Sequence, residues 1–496
     1  MIGFALLAVL AAAPVDPAAL EVRAAELVDH AFAAAHLHAP ARDAALSLAA
    51  RELASELLAG KLSKDHLAEA APTAISRAGG WDPAPRSLVL AGNRADSILQ
   101  YLAAQPSLTE DQPDQLGVGV AVGGERVVLL VVTARRLAEV KPFPRNVPVG
   151  ARARLEVSLR PPLHAPQLVV TGPDGRAQTS TDAVAAGLSL QAALRFSQAG
   201  RYTVEVMGRS AAGPQVAAIF RVESGQATTA EDDEDGPEPA DPIAKIEAVL
   251  ARINRVRAKA KLKPLQHDRA LDLLALEHSE DMAVNHYFAH VSPAHGDLHA
   301  RLAGRYAYVR AGENLGEAPG ALAAERAIEG SPAHLENTLD PGFTHLGLAL
   351  YPNAHPGGEV TLLLTEIFAT PPPPLADPAG AIAQALNQAR AARRLATLGR
   401  DATLDRVARE HVKQMVADGM PGGERDAQDA AIEADPNLKS VAVDIFVGSV
   451  PEDALRSRNA LSTHYNRMGI AAQVVPQSRF GAGRLWICVL YARVGG

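Results

Sequence analysis

The residues best equipped for chemistry lie between positions 278 and 366 of this 496-residue chain. Four of them stand in short polar motifs: His290 in His-Tyr-Phe-Ala-His, Glu313 in Gly-Glu-Asn, His334 in Ser-Pro-Ala-His and Glu366 in Thr-Glu-Ile-Phe-Ala. Imidazole nitrogens and carboxylate oxygens that converge in a cleft can bind a divalent cation such as zinc. The same groups can transfer protons, because histidine titrates near neutral pH and a carboxylate can orient its ring.

A structural role is the alternative, since His290 and Glu313 can also hydrogen-bond to each other and hold two loops together. Other catalytic patterns are missing: the sequence has no Gly-x-Ser-x-Gly, Walker loop or dinucleotide fingerprint. The single cysteine, Cys488, lies in an apolar run, which predicts a core residue and excludes an internal disulfide. Ser292 follows His290 closely, but Pro293 comes next and indicates a turn rather than a nucleophile.

Further histidines surround His290. His286, His295 and His299 lie four, five and nine residues from it. The motif His-Glu-x-x-His is absent, so a zinc protease of that type is not predicted. A proline and a glycine break any long helix here, and we interpret His295 and His299 as exposed loop residues, with metal ligation as the less favoured alternative. His278 lies on a predicted helix and is interpreted as a packed residue.

The elements that must position these side chains occur three times along the chain. Each copy opens a β-rich segment with a leucine or methionine followed by glycine, and closes in a second apolar strand. The pairs are Leu116-Gly117, Leu346-Gly347 and Met468-Gly469. Upstream, a helical segment of each copy has a leucine six residues before a glutamate; these leucines are Leu46, Leu271 and Leu404. The pattern predicts one α/β module in three copies.

Only the middle copy keeps the full set of chemical groups. Counting back from the Met-Gly pair of the third copy aligns Asn459 with Asn337, and Arg456 takes the place of His334. The segment Val443-Asp444 is predicted near the position of Gly-Glu-Asn. The first copy has no clear cleft histidine or glutamate. We interpret the outer copies as degenerate, serving either as binding or docking surfaces or as supports of the array.

Taken together, the motifs of the middle copy resemble those of a known family. The order Phe-x-His-x-Ser-Pro, Gly-Glu-Asn, Ser-Pro-x-His-x-x-Asn and Leu-Gly with a closing strand is similar to the CAP superfamily of cysteine-rich secretory proteins, antigen 5 and pathogenesis-related proteins. The likeness is to the bacterial, cysteine-free SCP-like branch and extends over nearly the whole module. It implies an α-β-α sandwich with a mostly antiparallel sheet and a cleft in which histidines and glutamates meet solvent.

The resemblance also implies which residues line that cleft. His290, Glu313 and His334 match the family's cleft positions and would be the ligands of a divalent metal, if one binds. Glu366 matches a further cleft position in the last strand. The family's usual tryptophan ahead of Ser-Pro is absent, and Glu329 with a following glycine stands there, so this wall of the cleft differs. No residue is assigned a catalytic role.

Segments outside the three copies differ in composition. Alternating apolar and polar residues with turn signals at 140–223 predict a small β-sandwich that resembles immunoglobulin-like modules. A short apolar N-terminal run followed by small residues predicts a secretory signal peptide. Five consecutive acidic residues at 231–235 indicate a solvated linker.

The predicted fold class is α/β, with three α-β-α sandwich CAP-like modules and one small all-β immunoglobulin-like sandwich. The predicted boundaries are a signal peptide at 1–19, a degenerate CAP-like module at 20–136, the sandwich at 140–223, an acidic linker at 224–242, an SCP-like CAP domain at 243–370, a proline-rich linker at 371–378 and a second degenerate CAP-like module at 379–494.

The charge and the apolar segments of the chain limit the classes of function that it can have. A net charge of -8 without a run of lysines or arginines argues against nucleic-acid binding, and no segment is long and apolar enough for a transmembrane helix. The leading hypothesis is an exported, extracellular or periplasmic protein, non-enzymatic or weakly enzymatic, that binds a small apolar molecule, a lipid or a cell-envelope component. The alternatives are a metal-dependent hydrolase or protease that uses the same cleft, and a purely structural or adhesive repeat protein.

Overall fold

A computed structural model describes residues 15–495 except 111, 180–181, 226–235, 357, 359, 373–374, 449, 476–477 and 481–482. Most of the predicted signal peptide and the acidic run at 231–235 lie outside the described residues. The first helix begins at Pro17, within the range predicted for the signal peptide. Within the described part of the chain, no helix is long and apolar enough to cross a membrane.

The first module is an α-β-α sandwich. Its elements are α1 (Pro17–Ala34), β1 (Ala41–Arg42), α2 (Ala44–Leu58), α3 (Leu67–Arg77), β2 (Arg86–Gly92), α4 (Ala95–Ala103), β3 (Gln115–Gly123) and β4 (Arg126–Ala134). The sheet order is β1-β3-β4-β2, with β1 and β3 parallel and the other neighbours antiparallel. Alternate residues of β3 and β4 face opposite sides, so one apolar cluster forms with α1 and α4 and another with α2 and α3.

A β-sandwich follows. Its strands are β5 (Ala138–Val140), β6 (Asn146–Val147), β7 (Arg152–Leu159), β8 (His164–Thr171), β9 (Ala177–Thr179), β10 (Val184–Ala186), β11 (Ser189–Arg195), β12 (Gly200–Ser210) and β13 (Gly213–Ser224). They form two sheets, β10-β11-β7-β5 and β6-β13-β12-β8-β9, that enclose one apolar core. The small all-β unit is therefore present, while its immunoglobulin-like character stays a prediction.

The middle module repeats the first design. Its elements are α5 (Pro242–Lys259), β14 (Gln266–His267), α6 (Arg269–Val284), α7 (Leu298–Leu302), β15 (Arg310–Ala318), α8 (Ala321–Glu329), α9 (Pro332–Thr338), β16 (His345–Ala354) and β17 (Val360–Thr370). The sheet order is β14-β16-β17-β15, the equivalent of the order in the first module. One apolar cluster joins the sheet to α5 and α8, and another joins it to α6 and α7.

The third module has the same arrangement. Its elements are α10 (Pro378–Ala392), β18 (Gly399–Arg400), α11 (Ala402–Asp418), α12 (Glu424–Ala434), β19 (Leu438–Gly448), β20 (Arg467–Val475) and β21 (Arg484–Val494). The sheet order is β18-β20-β21-β19, and apolar clusters again cover both faces. Cys488 is buried in β21, as its apolar neighbours predict.

The repeated glycine has the same physical role in each module. It lies where the central strand passes directly beneath the helix that follows the short parallel strand. A Cβ atom on the glycine would lie 2.3, 2.4 and 2.3 Å from the carbonyl carbon of a helix leucine, for the pairs Gly117 and Leu46, Gly347 and Leu271, and Gly469 and Leu404. Only glycine permits so close an approach, and the prediction of a threefold repeat is confirmed.

Candidate functional site

His290 and Glu313 meet in the middle module. His290 lies in the loop after α6, and Glu313 lies in β15 within Gly-Glu-Asn. His290 Nδ1 is 3.0 Å from Glu313 Oε1. The other carboxylate oxygen accepts a hydrogen bond of 2.6 Å from Arg301 Nη2, which also reaches the carbonyl oxygen of His290 at 3.3 Å. Arg301 therefore binds both partners and fixes their relative position.

The Glu313 carboxylate is 7% exposed but stays ionised. Burial alone would raise its pKa, yet the hydrogen bond from His290 and the charge of Arg301 hold the pKa below the usual range of a glutamate. An ionised carboxylate favours the His290 tautomer with its proton on Nδ1. The Nε2 atom of that tautomer carries a lone pair, and it has no hydrogen-bond partner among the described residues.

His334 lies beside this pair in α9. Its ring centroid is 6.3 Å from that of His290. Burial, and then the charge of His290, lower the pKa of His334 to about 3, so the ring is neutral at neutral pH. Its Nδ1 atom is buried without a partner among the described residues. Asn314 fixes the helix by donating to the His334 carbonyl oxygen at 3.2 Å.

Glu366 is connected to the site through Asn314. Its side chain is fully buried in β17 and accepts a hydrogen bond of 2.9 Å from Asn314. A second fully buried glutamate, Glu325 of α8, faces it. Burial raises the pKa of both carboxyl groups, and their mutual repulsion raises that of Glu325 further, so the pair retains a proton. Asn314 is thus the link between this buried pair and His334.

The donor atoms do not fit a three-ligand metal site as they stand. Both Glu313 oxygens are engaged, one by His290 and one by Arg301. Among the residues that the structure describes, no group of three or more His, Cys, Asp or Glu side chains is arranged to hold a metal ion. A metal at His290, Glu313 and His334 would have to share the Glu313 carboxylate with Arg301, and we derive no chemistry through it.

Two other predicted roles agree with the structure. Ser292 donates a hydrogen bond of 2.6 Å to Asp281 and accepts one of 2.9 Å from the His295 backbone, so it is a turn residue and not a nucleophile. His278 is 1% exposed and its Nε2 lies 3.1 Å from the Ala289 carbonyl oxygen. Burial lowers the pKa of His278 to about 4, which makes it a neutral packed residue.

Three further histidines of the middle module lie at the surface. His295 and His299 are exposed, as the loop interpretation predicts, and His286 is exposed as well. His299 stacks on Tyr308 and lies within 2.9 Å of its hydroxyl group. Glu329, at the place of the family's tryptophan, accepts a hydrogen bond of 2.8 Å from Arg252. Arg252 and Glu329 thus form an ion pair at this position.

Strand register identifies the equivalent positions in the outer modules. Gly347 lies opposite Ile367, and the residue before Ile367 is Glu366, which lies opposite Asn314. The same count places Val443, Asp444 and Val489 of the third module at the positions of Glu313, Asn314 and Glu366. It places Ser87, Leu88 and Val131 of the first module there. Neither outer module therefore retains the Glu313 carboxylate.

A polar contact of the Gly-Glu-Asn segment recurs in the third module. Asn459 donates to Asp444 at 2.8 Å, as Asn337 donates to Asn314 at 2.9 Å. The alignment of Asn459 with Asn337 from the sequence is confirmed by this contact. Sequence reasoning did not identify Arg301 or Glu325, because neither stands in a motif.

Comparison with known proteins matches two of the modules to one family. Residues 250–365 and 383–491 each match the model of the CAP, or cysteine-rich secretory protein, family. The middle and third modules are CAP domains. The first module lies outside the two matched segments but shares their sheet order and glycine contact.

Individual relatives cover only part of the chain. Two proteins of Bacillus subtilis are similar to it: the uncharacterized membrane protein YlbC, 37% identical over 106 residues, and the uncharacterized protein YkwD, 35% identical over 114 residues. These alignments cover 21% and 22% of this chain, and 30% and 44% of the two relatives. An extracellular SCP-domain protein of Bacillus anthracis is 22% identical in its solved structure, with a TM-score of 0.23, over 38% of this chain and 66% of that one.

Proposed function

We propose that this chain is an exported CAP-domain protein whose middle module binds a small apolar molecule, a lipid or a cell-envelope component. The cleft is formed by His290, Glu313 and His334. The observation that carries the proposal is a pair of unsatisfied imidazole nitrogens, His290 Nε2 and His334 Nδ1, held beside each other on fixed elements. His334 Nδ1 is the buried one of the two; a buried polar atom without a partner is rare in folded proteins and favours a ligand that supplies one, while the His290 ring beside it is partly exposed.

The candidate nucleophiles and the hydrogen bonds of Glu313 favour binding over catalysis. Ser292 is engaged in its turn, and Cys488 is buried with its pKa raised by burial to about 12, so neither is an activated nucleophile. A hydrolytic metal site needs several protein ligands and an open position, whereas Arg301 occupies the Glu313 carboxylate. Export is supported by the apolar N-terminal run.

Binding is tested on the full chain with three probes: phosphatidylglycerol–phosphatidylethanolamine vesicles and purified peptidoglycan in sedimentation, and zinc chloride in calorimetry. The wild type is compared with His290→Ala/His334→Ala and with the matched double variant His295→Ala/His299→Ala. The latter removes two exposed histidines of the same module.

We expect vesicles or peptidoglycan to bind the wild type and the control but not the cleft variant. Binding that survives in the cleft variant would place the ligand elsewhere. Zinc binding lost only in the cleft variant would instead support a metal site. If none of the probes binds, the structural or adhesive role becomes the better hypothesis.

A further inference from the structure

The β-sandwich reaches the candidate cleft through the turn between β12 and β13. The carbonyl oxygen of Ala212, in this turn, accepts a hydrogen bond of 3.1 Å from the backbone N–H of Val291. Gly213 has a φ of +100°, and a Cβ atom placed on it would lie 3.2 Å from the Cβ of His290. The turn therefore lies directly on the loop that carries His290, and a larger residue at position 213 would have a strained backbone and a tight contact with that loop.

A second contact holds the other histidine-bearing element. Glu205 of β12 is fully buried. Its Oε2 accepts a hydrogen bond of 2.6 Å from the Ser331 hydroxyl, and its Oε1 accepts one of 3.1 Å from the Ala333 N–H. Both donors belong to Ser-Pro-Ala-His, the motif that begins α9 and carries His334. Helix α9 also packs on β8 and β9 of the same sheet.

One sheet of the sandwich thus contacts both segments that form the cleft. We infer that the β-sandwich is a built-in partner of the CAP cleft: it packs on the His290 and His334 segments, Glu205 holds it in place, and the two partly exposed histidines become more accessible to a ligand when the sandwich moves away. The consequence for ligand access rests on the proposed function, whereas the packing itself is a property of the chain alone.

The contact between the β-sandwich and the middle module is of a type that can separate. Glu205 has no ion-pair partner among the described residues, so its burial is offset only by one hydroxyl and one amide donor. Polar contacts between domains of one chain resemble transient interfaces, and domain movement is the expected behaviour. The hydrogen bonds nonetheless fix the register of the sandwich on the cleft, because each acceptor meets one specific donor.

Accessibility of the histidines tests this packing without any ligand. The full chain is treated with diethyl pyrocarbonate, and modification of each histidine is followed by mass spectrometry. The reagent attacks neutral imidazole, and His334 is neutral at neutral pH, so its rate reports access. Exposed His295, in the same module but outside the contact, is the internal reference. The variants are Glu205→Ala, Glu205→Gln and, as a matched control on the other sheet of the sandwich, Glu156→Ala.

We expect Glu205→Ala to raise the modification rates of His290 and His334 at least fivefold relative to His295, while Glu156→Ala gives wild-type rates. Unchanged relative rates in Glu205→Ala would overturn the inference. If all histidines of this variant react faster, the chain has unfolded, and Glu205→Gln, which keeps the side-chain shape, decides by the same criterion. Loss of ligand binding in the His290/His334 variant is a separate result and does not affect this one.

Discussion

The cleft depends on a residue that no motif marks. Arg301 is 7% exposed and supplies the only arginine hydrogen bond to Glu313 among the described residues. Without it, the buried carboxylate would rely on His290 alone, and its ionised form would be poorly compensated. The charge that orients His290 therefore depends on α7, which follows the loop in sequence and returns to it in space.

We predict that Arg301→Met destabilises the middle module by about 3–5 kcal/mol, because it leaves a buried charge without its cation. The control Arg305→Met removes an ion pair whose two side chains are about half exposed, so its loss should cost less than about 1 kcal/mol. Opening free energies from hydrogen exchange of β15 amides measure both. Equal small effects would show that Arg301 does not stabilise Glu313.

This variant also changes the response to acid. The pKa of Glu313 is lowered in the folded chain, so its contribution to stability is present above the pKa of the unfolded residue, roughly 4.3. It is lost as the pH falls through the lower folded value. In Arg301→Met we expect the acid-dependent loss to shrink, which a comparison of opening free energies at pH 6 and pH 3.5 would detect.

The buried carboxyl groups of Glu325 and Glu366 make stability depend on pH in the opposite direction. The pKa values of Glu325 and Glu366 are raised, so the folded chain binds more protons than the unfolded chain, and stability falls as the pH rises. Glu325→Gln replaces one titrating carboxyl group with an amide that can donate to Glu366. We expect β17 of the wild type to lose up to about 1.4 kcal/mol per pH unit per proton above pH 5, and the variant to lose less. Glu280→Gln, an exposed site in the same module, should follow the wild type.

At the scale of elements, the recurring glycine is the strongest constraint on the modules. A Cβ on Gly117 would lie 2.3 Å from a backbone atom of α2, so Gly117→Ala must push the helix off the sheet. Overpacking of this kind costs about 1–3 kcal/mol and sometimes more. Gly92→Ala, on an outer strand of the same sheet, would place its Cβ at an ordinary 3.5 Å from Ile98.

We therefore expect faster hydrogen exchange throughout α2 in Gly117→Ala and wild-type exchange in Gly92→Ala. The equivalent substitutions at Gly347 and Gly469 should loosen α6 and α11 in the same way, because the contact recurs at 2.4 and 2.3 Å. If α2 exchanges at the wild-type rate in Gly117→Ala, the contact between the helix and the strand does not require glycine.

The sequence predicted elements wherever a local rule decides them. Leu-Gly pairs, helix periodicity and strand alternation are local, and they were sufficient for three α/β modules, whereas the grouping of His290, Glu313 and His334 followed from the resemblance of their motifs to the CAP family. Glu205 shows where local rules stop. Its neighbours Val204 and Val206 face the sandwich core, so alternation places Glu205 on the outer face, where solvent is expected. It is buried because another module packs there, and no pattern within one strand encodes that.

At the scale of the whole molecule, the modules contact one another. The sandwich contacts the first module as well, since Arg145 donates to the carbonyl oxygens of Ser76, Gly79 and Gly80. Arg326 of the middle module pairs with Glu69 of the first at 2.5 Å. The cleft of the middle module is in contact with other modules of the chain. Motifs within the middle module therefore specify the cleft residues, whereas the accessibility of these residues also depends on the other modules.

Glu205 makes the accessibility of the cleft depend on pH. In the closed chain, burial raises the pKa of Glu205 to about 7, outweighing its two hydrogen bonds, and the negative charge of Glu336 adds to the increase. An opened sandwich exposes Glu205, whose pKa then returns to roughly 4.3. Closing therefore takes up a proton, and the closed state is favoured below the exposed pKa and progressively lost as the pH rises through 7.

Between pH 4.5 and pH 7 we expect the opening constant to rise on the order of 100-fold. The reporter is the Val291 amide, which donates to Ala212 only when the sandwich is closed; its exchange rate is corrected for the intrinsic effect of pH. Glu205→Gln cannot titrate, so its opening constant should stay flat over this range. A flat wild-type profile, or a slope that persists in Glu205→Gln, would assign the pH response to another group and leave Glu205 as a structural contact.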